Sequence, residues 1–155
     1  MNVDRVVLAL EDIRLDVSVP SRLGALEMLS QSLGPRAALD ARSVFDALWT
    51  REQLGSTGLG RVVALPHTRL AVPTPVAAFI RPQLPIPFDA PDDEPVSFIL
   101  GILLPSQDPS RGLQLLAHVA QLFSERRFRD ALTDAPDAGS VQKLLFTGSV
   151  EQWIR

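Results

Sequence analysis

The sequence predicts a layered α/β domain, because short apolar runs typical of strands alternate along the chain with longer segments of helical periodicity. The chain has 155 residues, about the length of one domain, so we expect residues 1–155 to form a single unit. Hydrophobic residues make up 46% of the chain and charged residues 21%. This composition is typical of a protein with a packed core and not of a disordered chain.

The first part of the chain reads as one strand followed by two helices. Residues 12–18 alternate between apolar and polar side chains, as in an edge or entry strand. A helix is predicted over 21–33, where leucines recur at helical spacing, and Gly34 and Pro35 form a stop signal. A second amphipathic helix is predicted over 40–53.

Three further strands are predicted from apolar runs. A short one covers 61–65 and is followed at once by Pro66. A buried strand is predicted over 76–80, and a central strand, buried on both faces, over 96–104.

The last part of the chain reads as helical. A helix is predicted over 109–124, and two shorter helices over 128–132 and 141–146. The face of the first of these helices that we expect to be buried consists of Leu113, Leu116, Ala117, Ala120 and Phe123.

Composition excludes several classes of function. The chain has no cysteine, which rules out disulfides, thiolate nucleophiles and cysteine-based metal sites, and its two histidines cannot form a three-histidine zinc site. A net charge of −3 makes it a poor candidate for nucleic-acid binding. The apolar run 96–104 is far shorter than the roughly 20 residues of a membrane-spanning helix, and the N-terminal residues do not resemble a secretory signal. We therefore expect a cytoplasmic protein with no metal, no nucleic-acid partner and no membrane insertion.

Residues 51–70 combine three features that suit an anion. The glycine-rich loop 55–60 can turn backbone N–H groups toward an anion, and Ser56 and Thr57 add hydroxyl donors. His67 directly follows the proline that closes a strand, so its ring is expected at a sheet edge. Arg51 and Arg69 supply permanent positive charge nearby in sequence. An imidazole in such surroundings can accept a phosphoryl group on a ring nitrogen.

The same stretch is not a nucleotide-binding P-loop, because no lysine follows the glycines. On residue types alone, a hydrogen-bonded loop histidine is the commoner explanation of His67. The motif as a whole carries more information than the histidine alone, because it places a loop, a strand and a histidine in a set order.

GSTGLG, followed by an apolar strand and A-x-P-H, resembles the signature of the fructose/mannitol-type enzyme IIA family of the bacterial phosphotransferase system. The segments 75–107 and 115–132 also resemble strands and helices of that family, so the resemblance covers about residues 10–147. A stand-alone chain containing FIRPQLPIPFDAPD is most similar to the nitrogen-regulatory branch.

The resemblance implies a fold, a reaction and partners. The fold would be a three-layer α/β/α sandwich with a mixed sheet. His67 would accept a phosphoryl group from HPr or a related phosphohistidine carrier, and Arg51 would help to bind that group together with Ser56, Thr57 and Gly58. No metal or other cofactor would be needed. Members of the nitrogen branch report phosphoenolpyruvate and nitrogen status to regulatory targets, including potassium transporters and sensor kinases.

The sequence departs from the family most clearly at Gly112, which stands where members usually carry a second histidine at the start of a helix. His118 is six residues further along, about 120° away around the helix. We therefore expect His118 to be an ordinary solvated residue, or one that supports the site indirectly. Smaller departures are Val62, where the family often has glycine, and Thr68, where a small residue usually follows the histidine.

Two alternatives to a phosphocarrier stay open on the sequence. One is a regulatory binding module of the same fold in which phosphotransfer is lost or weak, as the glycine at 112 suggests. The other is a small-anion or metabolite-binding α/β domain that uses only the loop 55–60. This second alternative leaves the A-x-P-H motif without an explanation.

Overall fold

The computed structural model describes residues 5–146. Within that range the chain forms six strands, namely β1 (Ile13–Val17), β2 (Gly58–Gly60), β3 (Val63–Ala64), β4 (His67–Leu70), β5 (Val76–Pro82) and β6 (Phe98–Pro105). The α-helices of the same range are α1 (Arg22–Arg36), α2 (Ala41–Gln53), α3 (Pro109–Ser124), α4 (Arg126–Asp134) and α5 (Ala138–Phe146). Every predicted strand and helix is therefore present, and β2 and β4 are strands that the sequence did not predict.

The strands form one mixed sheet in the order β1-β5-β6-β3-β2, with β4 also paired to β6. Strand β1 lies at an edge and runs parallel to β5, while β5 and β6 are antiparallel. Strands β3 and β4 run parallel to β6, and β2 pairs antiparallel with β3. The predicted central strand is confirmed, since β6 is buried from Phe98 to Leu104.

Helices cover both faces of this sheet. Side chains of α1 and α2, such as Leu29 and Leu48, pack on one face in a core that includes Ile99. Side chains of α3, α4 and α5, such as Val119 and Phe128, form a second core on the other face. The three-layer α/β/α arrangement with a mixed sheet is thus confirmed.

Side chains cap the helices where the sequence places polar residues. Ser21 accepts a hydrogen bond from the backbone N–H of Gly24 at 3.0 Å, and Asp40 accepts one from Ser43 at 3.1 Å. These oxygens satisfy N–H groups that have no partner inside the first turn of a helix. The predicted starts of α1 and α2 are therefore correct.

The predicted stop at Gly34 and Pro35 is wrong, because α1 continues to Arg36. Gly34 serves close packing instead. A Cβ atom at this position would lie 2.8 Å from the Cα of Ala41, the first residue of α2. The missing side chain lets the two helices approach each other, and Pro35 lies inside the last turn of α1.

Helix α3 buries a different face from the one predicted. Its buried apolar residues include Leu115, Val119 and Leu122, whereas Leu113 is exposed. The helix is apolar on two sides, so periodicity alone could not distinguish them. The outcome matters for function because it turns Leu113 toward the surface.

Strands β3 and β4 are two halves of one interrupted strand. Val63 pairs with Phe98 and His67 pairs with Ile102, which is the same register on the same edge of β6. The carbonyl of Pro66 accepts a hydrogen bond from the N–H of Ile102 at 2.9 Å across the interruption. Pro66 therefore does not end the pairing, and His67 opens β4.

A tight turn at Arg61 and Val62 joins β2 to β3. Both residues have positive φ, 54° and 63°, which is unfavourable for a β-branched side chain. This backbone conformation favours glycine, so the side chain of Val62 is strained at the turn.

Residues 5–146 include no helix that is both long enough and apolar enough to cross a membrane.

Candidate functional site

A cavity of about 640 Å³ opens between the C-terminal half of α2, strand β4 and the first turns of α3. It lies at the sheet edge where β4 begins. Its lining combines cationic, polar and aliphatic side chains. They are Asp46, Ala47, Thr50, Arg51, Leu54, His67, Thr68, Arg69, Leu104, Leu113 and Leu116.

His67 is half-buried in this cavity and held in one orientation. Its Nδ1 lies 2.8 Å from the carbonyl oxygen of Leu65. Because a carbonyl oxygen can only accept a hydrogen bond, Nδ1 carries the proton and the neutral ring keeps a lone pair on Nε2. The imidazole therefore has one nitrogen engaged by the backbone and one available as a nucleophile.

The surroundings of His67 favour its neutral form. Burial is the largest cause and lowers the pKa of His67 below its ordinary value of 6.5. The hydrogen bond to Leu65 acts in the opposite direction, and the positive charges of Arg51 and Arg69 lower the pKa further. A neutral imidazole is the nucleophilic form, so the pKa and the geometry agree.

Two arginines bring positive charge to the cavity. Arg51 lies in the last turn of α2, and its Nη1 donates to the carbonyl oxygen of Gly55 at 2.8 Å. Arg69 is on β4, two residues after His67, so the side chains of His67 and Arg69 project from the same face of that strand. Together they make the cavity suitable for an anion.

The loop residues predicted to contact the phosphoryl group do not line the cavity. Thr57 is buried; its N–H donates to Oε2 of Glu52 at 2.9 Å, and its hydroxyl donates to Oε1 of the same carboxylate. The hydroxyl of Ser56 donates to the carbonyl of Phe88, and the N–H of Gly58 donates to Oγ of Ser56 at 3.0 Å. The expected free donors are therefore satisfied within the chain.

Gly58 has a packing reason to be glycine. A Cβ atom there would lie 2.9 Å from the Cβ of Ala90, in the connection that precedes β6. The small residue lets this connection cover the loop. The structure thus brings His67 and Arg51 together at the cavity, and it places Ser56, Thr57 and Gly58 in the scaffold beside them.

Glu52 is a buried carboxylate that the sequence analysis missed. Its residue is 3% exposed, and besides the bonds from Thr57 it has Nη1 of Arg22 at 3.7 Å. The guanidinium of Arg22 also lies 3.3 Å from Asp89 and over the ring of Trp49. Because Glu52 directly follows Arg51, these contacts fix the end of α2 that carries the arginine.

Gly112 lies buried in the first turn of α3, and a Cβ atom there would be 3.3 Å from Cδ1 of Leu104. Leu104 lines the cavity, so position 112 borders it without contributing a side chain. His118 does not replace a second histidine, since it is absent from the cavity lining. The expectation that His118 is solvated is wrong: it is 6% exposed, and burial lowers its pKa.

The aliphatic rim of the cavity was also missed. Leu54, directly after α2, is 83% exposed, and Leu113 on α3 is 60% exposed. A leucine directly after a helix end is a weak signal for Leu54, and the two-sided apolar pattern of α3 concealed Leu113. Exposed leucines on both sides of the half-buried His67 suit contact with another macromolecule.

No group of three or more histidine, aspartate or glutamate side chains within residues 5–146 is arranged to hold a metal ion. The charge at the cavity comes from Arg51, Arg69 and Asp46. The cavity can therefore bind an anionic group next to the neutral imidazole of His67.

Comparison with known proteins places the chain in a family. A profile described as "Phosphoenolpyruvate-dependent sugar phosphotransferase system, EIIA 2" matches residues 6–147. A nitrogen regulatory protein from Klebsiella oxytoca is 36% identical over 134 residues, which cover 83% of each chain. The fructose-specific EIIA component of Haloferax volcanii is 32% identical over 141 residues, which cover 90% of this chain and 92% of that protein.

Solved structures agree with this placement. The crystal structure of nitrogen regulatory protein IIA-Ntr from Neisseria meningitidis superposes with a TM-score of 0.86 at 39% sequence identity. The match covers 90% of this chain and 96% of that chain.

Proposed function

Because this chain belongs to the EIIA 2 family of the phosphoenolpyruvate-dependent sugar phosphotransferase system, we propose that it is a phosphocarrier of the nitrogen-regulatory type that accepts a phosphoryl group on His67. One observation carries the proposal. The Nδ1 of His67 is held by the Leu65 carbonyl, which leaves the Nε2 lone pair free in a cavity that also contains Arg51.

The transfer is a displacement between two imidazole rings. Nε2 of neutral His67 attacks the phosphorus of a phosphohistidine on the carrier, and the new N–P bond forms as the carrier's N–P bond breaks. Each ring keeps the proton on its other nitrogen, so no proton has to move between the proteins. Arg51 binds the phosphoryl oxygens and stabilises the charge on the transferring group.

The loop that precedes β2 acts on this step by positioning. Glu52 holds the backbone and hydroxyl of Thr57, while Ser56 connects the loop to Phe88 and to Gly58. We assign Ser56, Thr57 and Gly58 to the support of the α2 terminus and of β3, which carry Arg51 and lead into His67. This replaces the direct phosphoryl contact expected from the sequence.

The partner that supplies the phosphoryl group would be an HPr-type carrier. We also propose that the protein works in the cytoplasm, together with that carrier. Its phosphohistidine has to reach the Nε2 of His67, so it must cover the rim that contains Leu54 and Leu113. The targets that read the phosphorylation state would be regulatory proteins of the sensor-kinase or potassium-transporter class. The relatives named nitrogen regulatory proteins support a regulatory role in general. We also propose that the whole chain works as one domain.

The test is the intact mass of the full chain after incubation with phosphoenolpyruvate, enzyme I of the phosphotransferase system and an HPr-type carrier. We expect a gain of one phosphoryl group in the wild type and in His118→Gln, and no gain in His67→Ala. His118→Gln is the matched control because it removes the other histidine of the chain. Labelling that persists in His67→Ala would contradict the assignment of the acceptor.

A second candidate is a regulatory module that binds its targets without phosphotransfer. The observation in its favour is Gly112, which brings no side chain to the border of the cavity. In that case the unphosphorylated protein should bind its targets, and the His67→Ala variant should bind them equally well. Phosphorylation of the wild type at a rate comparable to that of an active family member would contradict it.

A further inference from the structure

Gly112 lies close to one particular residue pair of the sheet. Position 112 lies over Leu104, whose Cδ1 is the nearest atom to a Cβ built there. Leu104 is the register partner of Arg69 across β4 and β6. The space that a side chain at 112 would occupy therefore adjoins the strand position of Arg69.

His67 and Arg69 project from the same face of β4 because they are two residues apart on a strand. Both line the cavity, and the positive charge of Arg69 acts on the His67 ring. A side chain as long as arginine can reach a group bound to a ring about 7 Å away along the strand.

Within residues 5–146, the guanidinium of Arg69 has no other structural role. Arg69 is exposed and forms no ion pair there, whereas Arg51 donates to Gly55 and Arg22 bridges Glu52 and Asp89. A free guanidinium presents a planar fork of donors that fits two oxygens of one phosphoryl group.

We propose that Arg69 is a second phosphoryl-binding residue, which contacts the group on His67 on the side of the cavity that Gly112 borders. This inference rests on the proposed phosphocarrier function. It assigns to Arg69 the second contact that a side chain at 112 does not make. The site would then hold the phosphoryl group between two arginines, one from α2 and one from β4.

The test compares two donors, the phosphorylated HPr-type carrier and phosphoramidate. Phosphoramidate transfers its phosphoryl group to Nε2 with release of ammonia and has no protein surface to dock. We expect Arg69→Gln to slow phosphorylation of His67 by at least about tenfold with both donors. Arg69→Lys should recover part of the rate, because it keeps the charge and loses the fork. The matched control is Arg126→Gln, on the exposed start of α4 away from the cavity, which should react like the wild type.

The outcomes separate this inference from the proposed function. No phosphorylation of the wild type would overturn the proposed function itself. A phosphorylated wild type with an unchanged Arg69→Gln would overturn only the inference. A defect with the protein donor alone would also overturn it, since Arg69 would then be a docking residue.

The pH dependence of the phosphoramidate rate provides a further test, because a purely structural role of Arg69 would leave it unchanged. Removing the Arg69 charge should raise the pKa of His67, so the acid limb of the phosphoramidate rate should shift to higher pH in Arg69→Gln and not in Arg69→Lys. Gly112→His offers a second check, because a ring at 112 should restore part of the rate lost in Arg69→Gln. An equal loss in both backgrounds would contradict a phosphoryl contact of Arg69 beside position 112.

Discussion

At the scale of single residues, the reactivity of His67 depends on what its neighbours leave unused. The Leu65 carbonyl takes the Nδ1 proton, and burial disfavours a second proton on the ring. The sequence placed this histidine correctly at a sheet edge beside arginines. It did not predict which ring nitrogen of His67 is free. That depends on the Leu65 carbonyl, whose direction is set where Pro66 interrupts the strand between β3 and β4.

We expect the acid limb of the phosphorylation rate, the fall in rate as the His67 ring is protonated, to be centred below pH 6.5. The pKa of His67 is below 6.5, so the nucleophilic neutral form persists past the point at which an ordinary histidine is half protonated. Arg51, Arg69 and Glu52 are the charged groups that act on the ring, and burial outweighs all three. The measurement is the rate with phosphoramidate at several pH values, corrected for the titration of the donor. A loss of rate centred above pH 6.5 would contradict the lowered pKa.

At the scale of elements, two helical glycines have different structural roles. Gly34 in α1 faces backbone atoms of Ala41, which cannot move without shifting α2. Gly112 in α3 faces the side chain of Leu104, whose Cδ1 has to shift by only a few tenths of an ångström to admit a Cβ. The sequence presents both simply as glycines, and the first was mistaken for a helix stop.

We therefore expect Gly34→Ala and Gly112→Ala to change stability in opposite directions. Alanine in a helix is favoured over glycine by about 1 kcal/mol, and this gain should appear in Gly112→Ala. In Gly34→Ala the overlap with Ala41 should dominate and lower the free energy of unfolding by about 1 to 3 kcal/mol. Urea denaturation midpoints of the two variants measure both effects. A Gly34→Ala variant as stable as the wild type would contradict the role given to close helix packing.

At the scale of the whole molecule, the packed cores that stabilise the sandwich lie apart from the cavity that contains His67. The two cores lie on opposite faces of the sheet, while His67 opens an edge strand between α2 and α3. The rim leucines at 54 and 113 belong to the helices on opposite faces, so both layers contribute to one surface around the histidine. Under the proposed function, a phosphohistidine on the carrier protein would approach this surface.

We expect Leu54→Ser and Leu113→Ser to slow phosphorylation by the HPr-type carrier by about tenfold and to leave the reaction with phosphoramidate unchanged. Both side chains are largely exposed, so their loss should alter stability by only about 0.5 kcal/mol or less. Leu84→Ser is the matched control, since Leu84 is 73% exposed and does not line the cavity. Equal rates in all variants with the protein donor would contradict a docking role for the rim.

The sequence by itself determined most elements of the sandwich, the starts of α1 and α2, the family and the association of a histidine with Arg51. These features depend on periodicity, on capping chemistry and on a motif that is contiguous in the chain. Only the tertiary structure decided which face of α3 is buried and where the donors of residues 56–58 point. Both depend on residues distant in sequence: Phe88 and Ala90 pack over the loop, and Leu104 lies under Gly112. Local patterns specify which groups are available, and packing between distant segments decides which of those groups remain free to react.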